Sequence, residues 1–132
     1  MKKDYDYIIC GGGASGLLLS NALISDRFFD DKKVLIIEKE AKVDNDKTFS
    51  FWDNQSNILD RIVFKSWEKA EFKDSEFSSS FNLSPYKYKM VRSDRFYSYM
   101  RKKIDRASNF NYLNATVIDI DKVNNKVKTD NG

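Results

Sequence analysis

The residues best suited to chemistry lie near the start of the chain. Gly11, Gly12, Gly13, Ala14, Ser15 and Gly16 match the spacing G-x-G-x-x-G, and Glu38 follows 22 positions after Gly16. That pattern serves the binding of a dinucleotide. Gly11 would permit a tight turn, Gly13 would let the backbone approach a pyrophosphate, and Gly16 would let a helix pack closely on a strand. Backbone N–H groups around Ala14 and Ser15 would face the phosphates from the positive end of that helix. Glu38 would accept hydrogen bonds from the adenosine ribose hydroxyls. Its charge also disfavours a 2′-phosphate, although Lys39 beside it tempers the repulsion. Flavin and nicotinamide dinucleotides share this fingerprint, so these residues leave both open.

For the glycines to act this way they must follow a strand and open a helix. A short apolar run bounded by charge and glycine predicts a strand over 5–10. An almost wholly apolar segment predicts a buried helix over 14–25, with Leu18, Ala22 and Ile24 inward and Leu17 and Leu19 widening that face. Four aliphatic residues ending in Glu38 predict a second strand over 34–38, which completes a βαβ unit. Beyond Glu38 the pattern changes. Residues 40–47 are polar, and Thr48-Phe49-Ser50-Phe51-Trp52 is expected to be a loop with a local aromatic anchor, Trp52 in the core. Strands are expected over 67–72, 77–83 and 86–92. A helix is expected from Ser93, its N-cap, to about residue 104, with Phe96, Tyr97, Met100 and Ile104 on one face. Arg101, Lys102, Lys103 and Arg106 read as a solvated helix end matched to its dipole. Strands follow over 110–113, 115–123 and 127–129, with a turn at Asn124-Asn125.

The expected fold class is α/β: an FAD-binding Rossmann-like βαβ unit with additional antiparallel strands, truncated. A plain NAD domain would continue with another strand, helix and strand, whereas inserted antiparallel strands suit an FAD-binding fold with an interleaved substrate domain. The domain reading is that 1–132 is the N-terminal part of an FAD-binding domain and 67–92 begins a substrate-side β layer. No third parallel strand of the nucleotide-binding sheet is expected before Gly132.

Composition removes several alternatives. The 132 residues carry 23 Lys+Arg against 20 Asp+Glu, a formal charge of +3, with one cysteine and no histidine. A single Cys10, expected to be buried before the turn, excludes an internal disulfide framework. The lack of histidine excludes a Cys/His zinc site and imidazole catalysis. The slight basic excess is spread over both halves, unlike the dense stripe that binds nucleic acid. Met1-Lys2-Lys3 would suit a secretory signal, and residues 7–25 hold no charge. However, Asp4 and Asp6 oppose a signal, and four glycines, three serines and one asparagine oppose a spanning helix. No metal ligands and no complete catalytic set are assigned.

Three segments together carry a resemblance. Asp6-Tyr7-Ile8-Ile9 with its glycine loop, Asn45-Asp46-Lys47-Thr48-Phe49-Ser50-Phe51-Trp52, and Tyr88-Lys89-Met90-Val91-Arg92-Ser93 leading into Phe96-Tyr97 resemble the lycopene β-cyclase family of carotenoid-forming flavoproteins. The likeness extends to Asp121. Lys47 stands where Arg is expected, Phe49 where Trp is usual and Ser50 where Cys is common; Lys for Arg forfeits a planar bidentate contact. The resemblance implies a fold similar to flavin monooxygenases and an FAD active in its reduced form, with NADPH as reductant. The implied reaction closes the linear ends of lycopene or a related carotenoid into β-rings. A carboxylic acid protonates the terminal alkene, the cation cyclises and a proton is lost, while the reduced flavin stabilises the cation. It also implies that the acidic catalytic motif lies beyond Gly132, that Thr48, Arg92 and Val117 join the glycine loop in holding FAD, and that the protein is cytoplasmic with peripheral association at a membrane surface. Arg92 would donate to phosphate or ribityl oxygens, and backbone at Val117 would meet adenine. Other readings of the same residues are another FAD-dependent monooxygenase, an isoprenoid reductase, or a small non-catalytic dinucleotide-binding or basic interaction domain.

Overall fold

A computed structural model describes residues 4–132, so the Met1-Lys2-Lys3 start lies outside the described residues. In chain order the elements are β1 (Tyr7–Cys10), α1 (Ala14–Ser25), β2 (Val34–Glu38), β3 (Thr48–Asp53), β4 (Val63–Trp67), β5 (Lys69–Lys73), β6 (Ser78–Asn82), β7 (Lys87–Arg92), α2 (Ser93–Arg106), β8 (Phe110–Asn114), β9 (Val117–Asp121) and β10 (Lys126–Thr129). Among the described residues no helix is long and apolar enough to cross a membrane. The chain forms two compact units. One joins the residues up to Val43 with Tyr97–Gly132, and the other is Asp44–Phe96.

The first unit is built on a parallel sheet of order β1-β2-β8. All five residues of the central strand, β2, are buried, as a parallel strand covered on both faces requires. Leu35 and Ile37 point to one face, where Ala115, Leu113, Val117 and Val127 pack against them. The β9–β10 antiparallel hairpin thus covers that side. The alternate residues Val34 and Ile36 are completely buried on the other face. α1 meets that face at Gly16, beside the Ile9 side chain, and α2 meets it through Arg101, stacked on Tyr112. A bond from Lys103 Nζ to Asn21 Oδ1 (2.9 Å) ties the two helices together. α1 buries Ser20 at no polar cost because its hydroxyl donates to the Gly16 carbonyl (2.7 Å).

Three expectations about this unit are overturned. The inward side of α1 is marked by Leu17 and Ser20, both buried, whereas Leu18 and Ala22, expected inward, are exposed. The third parallel strand does exist: β8 pairs parallel with β2 from Val34↔Phe110 to Glu38↔Asn114. Its sequence, Phe-Asn-Tyr-Leu-Asn, alternates rather than running apolar, because β8 lies at the sheet edge beside a single neighbour. Cys10 is exposed rather than buried, since it ends β1 where the chain leaves the sheet for the glycine turn.

The second unit consists of antiparallel pairs. β7 lies between β3 and β4, and β5 pairs with β6 as a hairpin. The Thr48 to Trp52 stretch is therefore a strand, not a loop, and its alternating exposure is that of a half-buried edge. Alternation turns Phe49 and Phe51 inward and Trp52 outward. Trp52 is 58% exposed, so the expectation that it is core fails; its ring instead lies 4.9 Å from that of Tyr88, its cross-strand partner. The expected strand over 67–72 is two strands, β4 ending at Trp67 and β5 starting at Lys69. Lys89, 9% exposed, places Nζ 3.0 Å from Asp53 Oδ2 and 2.6 Å from Asp60 Oδ1. Ser93 opens α2 and anchors the preceding polar segment: its hydroxyl accepts from Lys47 N–H (3.0 Å) and donates to Asp46 Oδ1 (2.9 Å).

Candidate functional site

The glycine turn is shaped by three different demands. Gly11 has φ +114, a conformation that side chains rarely adopt, while its N–H still bonds the Ile37 carbonyl (2.8 Å). Gly16 is required by packing, because a Cβ there would run into the Gly11 carbonyl oxygen and approach Ile9 Cγ2 at 3.3 Å. Gly12 is buried, and a Cβ on it would lie 2.5 Å from the Tyr112 hydroxyl and 2.9 Å from Glu38 Cβ. Gly13 differs from all of these. Its φ of −74° suits any residue, and a Cβ built on it meets no atom within 4 Å.

Gly13 is also the N-cap of α1, with no side chain capping that end and no acid in the first turn. The first bond inside the helix runs from Leu17 N–H to the Gly13 carbonyl (3.0 Å). The N–H groups of Ala14, Ser15 and Gly16 consequently have no acceptor within the helix, and the positive dipole end is left for an external anion.

Glu38, at the end of β2, is 8% exposed and gripped from two sides. Oε2 accepts from Gly12 N–H (2.7 Å) and Oε1 from Glu40 N–H (3.0 Å). The carboxylate thus holds the glycine turn. Each oxygen keeps a second lone pair for a hydroxyl donor. Lys39 is exposed. Lys42 turns to Glu40 (2.6 Å), which raises the pKa of its ammonium.

The predicted residues fall into two groups. Gly11, Gly13, Ala14, Ser15, Gly16, Glu38 and Lys39 lie together in the first unit at the C-terminal edge of the parallel sheet. Val117 belongs to the same unit, with its side chain packed in the cluster around Leu35 and Ile37. Thr48 and Arg92 lie in the second unit, directly opposite each other in the β3–β7 ladder. Thr48 is exposed, and Arg92 sits over the Phe64 ring (5.7 Å) with its Nε 3.5 Å from Asp94 Oδ1. An open cavity of about 410 Å³ in the second unit, bordered by Asp53, Asp60 and Lys89, contains none of the predicted residues. Sequence reasoning did not bring Gly12, Tyr112 and Arg101 together, which the fold packs against one another beside Glu38. The signal for Arg101 was available: it follows Met100 and lies four residues after Tyr97, on the flank of the buried face of α2.

The family model described as lycopene cyclase protein matches residues 6–132. The chain belongs to that family. This lycopene cyclase family chain is also 36% identical, over 67 residues, to the oxygen-dependent choline dehydrogenase of Staphylococcus aureus, a match covering 51% of this chain and 10% of the relative. Three solved structures share its fold. A 2-methyl-3-hydroxypyridine-5-carboxylic acid oxygenase has a TM-score of 0.72 at 15% identity, over 99% of this chain and 37% of that one. A probable FAD-dependent monooxygenase of Pseudomonas aeruginosa has a TM-score of 0.69 at 15% identity, over 97% and 39%. A flavin-dependent brominase has a TM-score of 0.67 at 22% identity, over 93% and 32%. The chain thus spans a tenth of the curated relatives it matches and under two-fifths of these structures. Its architecture is that of the N-terminal portion of FAD-dependent monooxygenase folds, a parallel β1-β2-β8 sheet with added antiparallel strands; the βαβ unit and the added antiparallel strands agree with expectation, the third parallel strand does not.

Proposed function

We propose that this chain is the FAD-binding part of an enzyme that closes the linear ends of lycopene, or a related carotenoid, into β-rings. The observation that carries the cofactor reading is Gly13. Neither backbone geometry nor neighbouring atoms require glycine there, so the demand comes from a group that must approach the backbone closely, at a helix end whose N–H groups are free. A pyrophosphate fits that description. Ala14, Ser15 and Gly16 would donate to it, and Glu38, already oriented by Gly12 and Glu40, would take the ribose hydroxyls. Reduced FAD would supply a negative charge beside a developing cation. Family membership supports the carotenoid substrate.

In this reading residues 67–92 begin the substrate-side layer, with Thr48 and Arg92 on its flavin side. The protein is cytoplasmic and works at a membrane surface, since a long polyene is drawn from lipid. NADPH supplies the reducing equivalents, and nucleic acid is no partner. The test is chromatographic: the chain, joined to the rest of the enzyme whose FAD-binding part it is proposed to be, is expressed in lycopene-accumulating cells and the carotenoids are separated. Ringed products are expected from that whole enzyme, and none from its Gly13→Ser variant or from residues 1–132 alone. A whole enzyme that binds FAD but leaves lycopene linear would overturn the cyclase reading and leave the flavin site standing.

A further inference from the structure

The β3-β7-β4 sheet of the second unit carries a row of rings on its open face. Cross-strand partners point to the same side of a sheet, and the register sets Trp52 and Trp67 on either side of Tyr88. Their ring centroids lie 4.9 Å and 5.8 Å from that of Tyr88, both pairs tilted rather than edge-on. The row thus crosses all three strands. Two residues along β7, Met90 stands between Ser50 and Lys65, and two further along Arg92 stands opposite Thr48. The Arg92 guanidinium lies over the exposed Phe64 ring. The other face of the sheet is closed: Val91 is completely buried, and Phe49 meets Phe96 at the start of α2 (5.2 Å).

Stability of the sheet does not ask for this row. The solvated side of an antiparallel sheet is ordinarily polar, and contiguous exposed apolar surface marks a place of interaction. Trp52 and Phe64 are exposed and Tyr88, Trp67 and Met90 only half-buried; both tryptophans of the chain stand here. The charges narrow the occupant. None of the residues in these three rows is a carboxylate, and both cations already lie over rings, Lys65 over Trp67 (5.4 Å) and Arg92 over Phe64 (5.7 Å). An uncharged ligand that offers π surface and asks for no hydrogen bonds suits such a face. The strip is also continuous with Thr48 and Arg92, which the reading above puts on the flavin side. At a strand rise of 3.4 Å, the four residues from Arg92 to Tyr88 make it about 13 Å long.

Resting on the cyclase reading above, we propose that Trp52, Tyr88, Trp67, Met90 and Phe64 form the surface that holds the conjugated chain of the carotenoid, with the end to be cyclised toward the Thr48–Arg92 pair. Stacking and dispersion supply the attraction, and rigid rings lose little freedom in giving it. Trp52, exposed where its residue type favours burial, then has a reason to face outward.

The test is quenching of tryptophan emission when lycopene in detergent micelles is titrated into the purified chain, with melting temperatures taken for each variant. Since both tryptophans belong to the row, a polyene bound there quenches them, and wild type should show saturable quenching. Ser50→Glu changes an exposed position beside Met90 and keeps both reporters. It should weaken binding about 30-fold with the melting temperature unchanged, because a carboxylate would be trapped beneath hydrocarbon. Trp52→Ala, read through Trp67, should lose about 10-fold. Phe28→Ser, at an exposed aromatic of the first unit, should bind as wild type does. Squalene, a flexible hydrocarbon without conjugation, should displace lycopene at least about 10-fold less well than unlabelled lycopene does. Unsaturable quenching in wild type, wild-type affinity in Ser50→Glu or Trp52→Ala, an equal loss in Phe28→Ser, or equal displacement by squalene each overturns the proposal. Dialysis against FAD keeps the two readings apart: FAD retained without saturable lycopene binding removes this surface and leaves the flavin site, whereas lycopene held by a chain that retains no FAD removes the flavin site and leaves this surface.

Discussion

Gly13 and Gly16 sit three residues apart, yet their substitutions should act with opposite sign on the ligand-free protein. Gly13 has an extended N-cap conformation and open space around its Cβ position. Serine is a better N-cap than glycine by a few tenths of a kcal/mol, so Gly13→Ser should raise the ligand-free melting temperature by about 1 °C. The same hydroxyl would bond first-turn N–H groups and fill the space before them. Binding of FAD should then weaken by about 3 kcal/mol, the order of a charge-assisted bond lost with its anion left unmatched, or about 100-fold. Gly16→Ala places its Cβ against the Gly11 carbonyl, which is backbone and cannot swing aside. An overpacking cost of about 3 kcal/mol, offset by up to about 1 kcal/mol of helix propensity, leaves a loss of about 2 kcal/mol. With an unfolding entropy of about 0.28 kcal/mol/K for 132 residues, that lowers the melting temperature by about 7 °C. Scanning fluorimetry of ligand-free protein and flavin fluorescence titration measure the two quantities. Gly13→Ser with wild-type FAD affinity, or with a larger thermal loss than Gly16→Ala, would refute the division of roles.

Other substitutions separate further parts of the structure. Glu38→Gln keeps one acceptor where Gly12 and Glu40 need two, and should cost about 1–3 kcal/mol in urea unfolding; no loss would mean that the carboxylate does not hold the turn. Phe96→Ala, at 2% exposure, should cost about 3–5 kcal/mol, whereas Trp52→Ala, mostly exposed and resting on Tyr88, should cost about 1 kcal/mol or less; similar losses would return Trp52 to the core. The Gln55 N–H and the Lys89 ammonium hold the Asp53 carboxyl below its ordinary range, and Lys89 does the same foremost for Asp60. Carboxyls depressed in the folded state add stability that is complete above their unfolded pKa and drains away as pH falls through the folded one. The melting-temperature gap between wild type and Lys89→Met should therefore be widest at neutral pH and shrink below about pH 4; a gap independent of pH would contradict the pairing.

The β1-α1-β2 unit was legible because its signals are local. An aliphatic run, a glycine turn and an acid at a strand end each name their element, and the structure sets their bounds at Tyr7–Cys10, Ala14–Ser25 and Val34–Glu38. β8 was found as a strand but not as a member of the parallel sheet. Its partner β2 is separated from it by the whole Asp44–Phe96 unit, and pairing direction leaves no mark on composition. Trp52 and Cys10 were misplaced for a shared reason: residue type favours burial, whereas strand alternation and strand ending set the actual direction. Arg101 and Tyr112 escaped because a helix-end arginine and an edge-strand tyrosine look ordinary until the fold stacks them beside Gly12. Gly12, given no role in the motif, proves sterically constrained like Gly16 and unlike Gly11 and Gly13.

Equilibrium dialysis of the purified protein against FAD, and separately against NAD, tests the flavin site most directly. With the glycine turn, the free α1 N–H groups and Glu38 acting together, the protein should retain one FAD per chain with the flavin's visible absorbance, and the Gly13→Ser variant should lose it. Retention of NAD by a protein that takes up no FAD would contradict the flavin site and remove its place in a carotenoid cyclase.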